Sequence, residues 1–235
     1  MTGFESRSAN ITDLIMITIK QLKADEEISA LIKTSAKQID ALNFTEHSVR
    51  HASIVSSWTS LILKEIGESE KLINLGEIAG YMHDIGNALS RFNHAQSGAI
   101  LAYALLTKRG MNYEDAAEIM MAIGNHDEVN GVPVSVLSAA LIIADKSDVH
   151  KSRVRNKILN EDTNIHDRVN LAANRSYITV DKEQKKIDTV LDIDTEICSV
   201  GDYFEIYHTR MLMCSKAADL IGFKYGLIVN GVRML

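Results

Sequence analysis

The sequence predicts a mainly α fold, a helical body carrying a small C-terminal α+β subdomain. Three observations predict it. The chain has one proline, Pro133, in 235 residues, so long uninterrupted helices are permitted through most of its length. Cap and stop residues punctuate the first three quarters: Ser69 and Asn112 suit helix starts, and Gly67 and Gly110 suit helix ends. After about residue 176 the character changes to apolar–polar alternation, with an Asn-Gly dipeptide near the end.

Helices are predicted at roughly 10–22, 25–42, 46–66, 69–83, 94–109, 113–125, 134–150 and 165–175. The first stretch, ITDLIMITIKQL, is apolar but short and interrupted by Asp13, Thr18 and Lys20. It reads as a partly buried helix, with a strand left open by its β-branched residues, and as neither a signal peptide nor a membrane span. The 134–150 helix is strongly apolar through Val136, Leu137, Ala140, Leu141, Ile143 and Ala144 and then meets Asp145. A carboxylate after so apolar a run is costly unless a cation neutralises it, which makes Asp145 a candidate ligand.

Farther on, Tyr177 to Val180 reads as a strand, DKEQKK as a polar turn, and Ile187 to Ile193 as a half-buried strand. A helix is predicted from Tyr203 to Leu220, stopping at Gly222. Tyr225 to Val229 and Val232 to Leu235 flank Asn230-Gly231 and read as a hairpin on a type I′ turn. The expected organisation is N-terminal helices over 1–43, a metal-binding helical domain over 44–175 and an α+β tail over 176–235.

With 46% hydrophobic residues the chain can bury a real core, and a net charge of −6 disfavours a nucleic-acid scaffold role. Cys198 and Cys214 show no CxxC spacing and fit a reduced, cytoplasmic protein. Neither a membrane nor a DNA partner is expected, and a homodimer is the default assembly.

The chemistry concentrates around the doublet His83-Asp84, in IAGYMHDIGN. Adjacent side chains reach one point only from a special backbone position such as a helix end. His47 lies upstream in TEHSVRHA and Asp145 downstream in LIIADKSD, with His94 and His126 between. Two imidazoles and two carboxylates suit Mn, Fe, Zn or Mg, and all six residues suffice for two ions sharing a carboxylate. His51, one turn after His47, reads as a core or supporting histidine.

The ordered set His47, His83-Asp84 and Asp145 resembles the HD-domain metal-dependent phosphohydrolase superfamily over roughly residues 44–155. The flanks agree: Arg50 three residues after His47, HDIG around the doublet, and IADKSD closing an apolar helix. The resemblance implies an HD-domain helical core, His47, His83, Asp84 and Asp145 as ligands of a first metal, and Asp84 as a bridge. Asn93-His94-Ala95 with Gly98-Ala99, and Asn125-His126-Asp127-Glu128, resemble the extra-histidine stretches of HD-GYP phosphodiesterases. Asn87, Asn125 and Val132 depart from that pattern and argue against cyclic-dinucleotide specificity, while His94 and His126 keep a second metal open. RFNHAQSGA, AIGNHDE, ADKSDVHKSRVRN and DTEICSVGDYFEIYHTRMLMC resemble uncharacterised bacterial HD proteins, which ties the tail to the same architecture.

The implied activity is hydrolysis of a small phosphoester or nucleotide by metal-activated water. Asp84 would orient the water, and Lys146 or Arg50 would face the phosphoryl oxygens. Arg50 reads equally as an ion pair bracing the site. Lys146, Arg153 and Arg155 are candidate substrate cations, the two arginines set against a solvated helix face. Asp127 and Glu128 would orient His126 or move a proton. His150, His166 and His208 read as surface or packing residues, and Met211, Met213 and Cys214 as a packed helix face. Two other readings use the same ligands: a non-catalytic nucleotide or metal sensor, and a di-iron oxygenase-type protein.

Overall fold

The computed structural model describes residues 17–42, 49–154 and 165–235. Its helical body comprises α1 (Ile19–Lys23), α2 (Glu26–Ala41), α3 (Val49–Ile66), α4 (Glu70–Met82), α5 (His94–Lys108), α6 (Tyr113–Gly124) and α7 (Val136–Ser147). A 3-10 turn over Ile85–Ala88 follows α4, and a second over Lys151–Arg153 follows α7. The remaining elements are α8 (Ile165–Ala172), β1 (Ala173–Asp181), β2 (Lys186–Ile193), α9 (Val200–Leu220), β3 (Lys224–Val229) and β4 (Val232–Arg233). Among the described residues no helix is long and apolar enough to cross a membrane.

Local chemistry accounts for most boundaries. Ser69 accepts from the Leu72 amide at 3.3 Å and Asn112 from the Glu114 amide at 2.7 Å, so both predicted caps form. Gly67 and Gly110 close their helices at φ 94° and 86°, a left-handed conformation glycine adopts without strain. Two expectations shift. The helix predicted at 134–150 ends at Ser147, because Asp148 leaves helical geometry at ψ 84°. The one predicted at 165–175 ends at Ala172, because Ala173 already pairs with Ile193 in the sheet. Most of the 10–22 prediction and the start of 46–66 lie outside the described residues.

Helix α7 is the axis of the body. All residues from Leu137 to Ser147 are buried, which explains an apolar composition on every face. Burying each of its leucines and isoleucines contributes about 1.5–3 kcal/mol. Helices α3, α4, α6 and α9 pack around it.

The tail forms one four-stranded sheet in the order β1-β2-β3-β4. The β1–β2 and β3–β4 pairs are antiparallel, and β2–β3 is parallel, joined through α9. Asn230 and Gly231 both take positive φ, 49° and 78°, as the predicted I′ turn requires. The tail shares the main core through Ile178, Ile187, Met213, Cys214, Ala217 and Phe223. Its other face encloses a smaller core with Val169, Leu191, Tyr203, Tyr207, Met211 and Leu227. Met211, Met213 and Cys214 are thus packing residues, and burial raises the Cys214 thiol pKa to about 12.

Candidate metal centre

The centre is assembled from helix ends. His83 caps α4, and Asp84 follows in the bridge region at φ −96°, ψ 6°, so the doublet straddles a helix terminus. Asn87 from the next turn donates to Asp84 Oδ1 at 2.9 Å. Gly86 lets that turn sit against α5, since a Cβ there would lie 2.0 Å from the His94 carbonyl oxygen. Gly80 does the same between α4 and α3: its Cβ would lie 2.7 Å from the Ser56 backbone. That approach brings His51, in the first turns of α3, onto His83. His94 opens α5, His126 follows the cap of α6, and Asp145 lies in the last turn of α7. Three helix C-termini, those of α4, α6 and α7, therefore meet here, and their partial negative charge favours a cation.

Four imidazoles share one orientation. Nδ1 donates to Asp148 Oδ2 at 2.8 Å in His51, to the Gly80 carbonyl at 2.8 Å in His83, to Arg91 at 3.1 Å in His94 and to Ile123 at 2.7 Å in His126. Each bond turns Nε2 toward the cluster, where the neutral ring offers its lone pair to a metal. The rings follow one another at centroid distances of 5.1, 5.0 and 5.1 Å in the order His51, His83, His126, His94. Asp84 faces them with both oxygens. Oδ2 lies 3.3 Å from His83 Nε2 and 3.7 Å from His51 Nε2, and Oδ1 lies 3.5 Å from His94 Nε2 and 3.8 Å from His126 Nε2. Asp145 Oδ1 is 3.2 Å from His51 Nε2 and 3.5 Å from His83 Nε2.

These separations suit shared cations. Ligand atoms about 2.0–2.2 Å from one ion stand roughly 3.3–3.6 Å apart in a tetrahedral array. Two compatible groups are present among the described residues: His51, His83 and Asp145, and His83, Asp84 and His126. His51 and His83 bring their Nε2 atoms within 3.2 Å, a contact that requires a proton or a cation between them. Burial pulls the His83 pKa down, but Asp84 and Asp145 more than offset it and raise it to about 10. Burial lowers His94 to about 4 against the opposing field of Asp84, so its imidazole is neutral near pH 7. The donor set fits divalent metal.

A second layer of charge surrounds the cluster. Burial raises the Asp145 carboxyl, but Lys146 and the histidines beside it win and hold it well below the usual range. Lys146 Nζ sits 2.8 Å from Asp145 Oδ2 and 2.5 Å from Glu128 Oε2. Arg210, on α9, donates to Glu128 Oε1 at 3.1 Å. Against burial, Lys146 and Arg210 keep Glu128 well below the usual carboxylate range. Asp148 is likewise held low against its burial, by His51, Arg153 and Arg50. Arg91, Lys146, Arg153 and Arg210 line the cleft with Asp84, Asp127, Glu128 and Asp145.

The structure thus brings together His83, Asp84, His94, His126, Asp145 and Lys146. It places His51, read as a supporting histidine, at one end of the cluster beside His83 and Asp145, while His47 and Arg155 lie outside the described residues. Arg50 donates to both oxygens of the Asp148 carboxylate, at 3.3 and 3.4 Å. Arg153 is buried rather than on a solvated face, with Nη1 donating to the Asp148 carbonyl at 2.6 Å. Asp148, Arg91 and Arg210 escaped the sequence reading. Arg91 stands one turn before His94 and was open to detection by that spacing, but Arg210 carries no local signal.

No family model matches the chain. It is similar to an uncharacterised protein of Methanocaldococcus jannaschii, 25% identical over 169 residues, 62% of this chain and 64% of that protein's length. It is also similar to a solved structure from an uncultured Thermotogales bacterium, described as a predicted HD superfamily hydrolase. That likeness has 26% identity and a TM-score of 0.44, covering 57% of this chain and 75% of the other.

Proposed function

We propose that this chain is a metal-dependent hydrolase of the HD superfamily, acting on a small phosphoester or nucleotide. The observation that carries the reading is the convergence of four imidazole Nε2 atoms on the two oxygens of Asp84. In this reading His51, His83, Asp145 and Asp84 would hold one divalent ion, and His94, His126 and Asp84 would hold a second. Mn, Fe, Zn and Mg all suit this oxygen–nitrogen donor set. Bound divalent ions supply Lewis-acid polarisation of a phosphoryl oxygen and acidify water toward neutral pH.

The chain's own residues supply the rest. Asp84 spans the two groups and Asn87 fixes its orientation. The cleft's cations and carboxylates number four each, so divalent ions leave it net positive and suited to an anion. Lys146, buried beside Asp145, places positive charge where the phosphoryl oxygens gain negative charge. Arg153 adds to that field. Arg50 acts through Asp148, which holds the His51 ring. Asp127 Oδ1 lies 4.0 Å from His94 Nε2 and lines the cleft, and in this reading it would orient that ring or move a proton.

The test is metal content per chain by elemental analysis, joined to turnover on a panel of phosphomonoesters, phosphodiesters and phosphoanhydrides. The metal-loaded wild type is expected to turn over at least one class, and His83→Ala none. No turnover by either protein on the whole panel would sink the catalytic reading. Tight nucleotide binding without turnover would put the sensor reading in its place.

A further inference from the structure

Helix α9 places in the cleft a guanidinium, that of Arg210, to which no contact with substrate has been assigned above. Arg210 is held on two sides: Nε donates to Glu128 Oε1 at 3.1 Å, and the group lies over the Tyr207 ring, 4.7 Å from its centroid. Neither contact engages the terminal Nη1 and Nη2, and no described residue accepts a hydrogen bond from them. The side chain is 25% exposed and lines the cleft beside Lys146 and Glu128. A planar fork steadied by two contacts, on a side chain that lines the cleft and keeps its paired terminal donors, can capture an oxyanion by two parallel hydrogen bonds. Lys146 differs, its ammonium being clamped between Asp145 and Glu128.

The sheet that packs with α9 is itself tied to the end of α7. Tyr225 donates to Thr189 Oγ1 at 2.9 Å, and Thr189 and Ser147 share a hydrogen bond of 2.6 Å between their hydroxyls. Ser176 donates to the Ser147 carbonyl. Ser147 directly follows Lys146, so three residues of the sheet are tied to the turn of α7 that carries Asp145 and Lys146.

We propose that Arg210 binds the substrate's phosphate group through its Nη pair, so that the α+β tail completes the substrate site. Glu128 and Tyr207 are then positioning residues for Arg210. The proposal rests on the phosphohydrolase reading.

The test is calorimetric titration of inorganic phosphate into the metal-loaded full chain, as wild type, Arg210→Met and Arg210→Lys. Metal content and thermal midpoint are recorded for each. Loss of charge-assisted hydrogen bonds predicts a Kd weakened about 10- to 150-fold in Arg210→Met, with metal content unchanged. Arg210→Lys keeps the charge without the fork and is expected to fall between. Phosphate binding at the wild-type Kd in Arg210→Met overturns the proposal. So does lost metal with an unchanged Kd in the loaded fraction, which makes Arg210 a brace. If Arg210→Met does not fold, Arg210→Lys decides: a weaker Kd supports the proposal and an unchanged one overturns it. A metal-loaded wild type that fails to bind phosphate refutes the phosphohydrolase reading and this proposal with it, whereas wild-type binding matched by the variants refutes only the role of Arg210.

Discussion

Replacing His51 by alanine separates the two histidines that compete for the first ligand position. His51 is 1% exposed, with Nε2 3.2 Å from both His83 Nε2 and Asp145 Oδ1. Removing it takes a donor from the first metal group, an effect larger than the about 10–100-fold loss that follows removal of an orienting partner. At a free metal concentration of about 100 times Kd, binding stabilises the fold by about 2.7 kcal/mol. For a chain of this size that is a rise in Tm of about 5–11 °C on adding metal. A hundredfold weaker site loses most of that rise. The assay is the difference between chelated and metal-supplemented melting curves for wild type, His51→Ala and His47→Ala, with metal content alongside. Because each protein is compared with itself, the packing cost of the substitution cancels. In the metal-free variant the Asp148 carboxylate keeps its pairing with Arg50, and Arg153 keeps its bond to the Asp148 backbone carbonyl. The reasoning is refuted if His51→Ala keeps the full metal-induced rise while His47→Ala loses it.

Three other outcomes follow from the same geometry. Asp148→Asn removes the negative charge behind His51 Nδ1 and is expected to weaken metal binding by about 10–100-fold, measured by competition with a chromogenic chelator. Gly86→Ala forces a Cβ to 2.0 Å from the His94 carbonyl oxygen, and overpacking of about 1–3 kcal/mol or more should appear in denaturant melts together with lost metal. Asp25 is held at a pKa of about 2, chiefly by its hydrogen bonds from Arg109, against an unperturbed 3.8. Its folded pKa is depressed, so the stabilisation is complete above the unfolded value and disappears as pH falls through about 2. Asp25→Asn should therefore cost about 0.5–1 kcal/mol at neutral pH, a surface-pair magnitude, and the gap from wild type should close across that acid window.

Much of the site was legible because its ligands sit at helix ends. Local signals mark such ends: an apolar run meeting Asp145, a doublet at the close of α4, and Asn112 capping the helix that delivers His126. Asn-Gly likewise specified its turn, because the required positive φ values belong to those two residues. Between His47 and His51 sequence periodicity could not choose, since a spacing of four places both on one helical face. The close approach of Ser56 to Gly80 decided what His51 meets, and a backbone contact between two helices leaves no periodic trace.

By itself, then, the sequence determined a helical body with an α+β tail and a set of His and Asp residues suited to divalent metal. Those properties rest on hydrophobic period, caps and ligand chemistry, all of which act over a few residues. Tertiary structure alone decided that β2 and β3 run parallel, that Asp148 steadies His51, and that Arg210 crosses from the tail to Glu128. These contacts join residues separated in the chain by 97 positions for His51 and Asp148 and 82 for Arg210 and Glu128. Alternation sets which face of a strand is buried but not its partner, and a charge's partner is chosen by packing that no neighbouring residue reports.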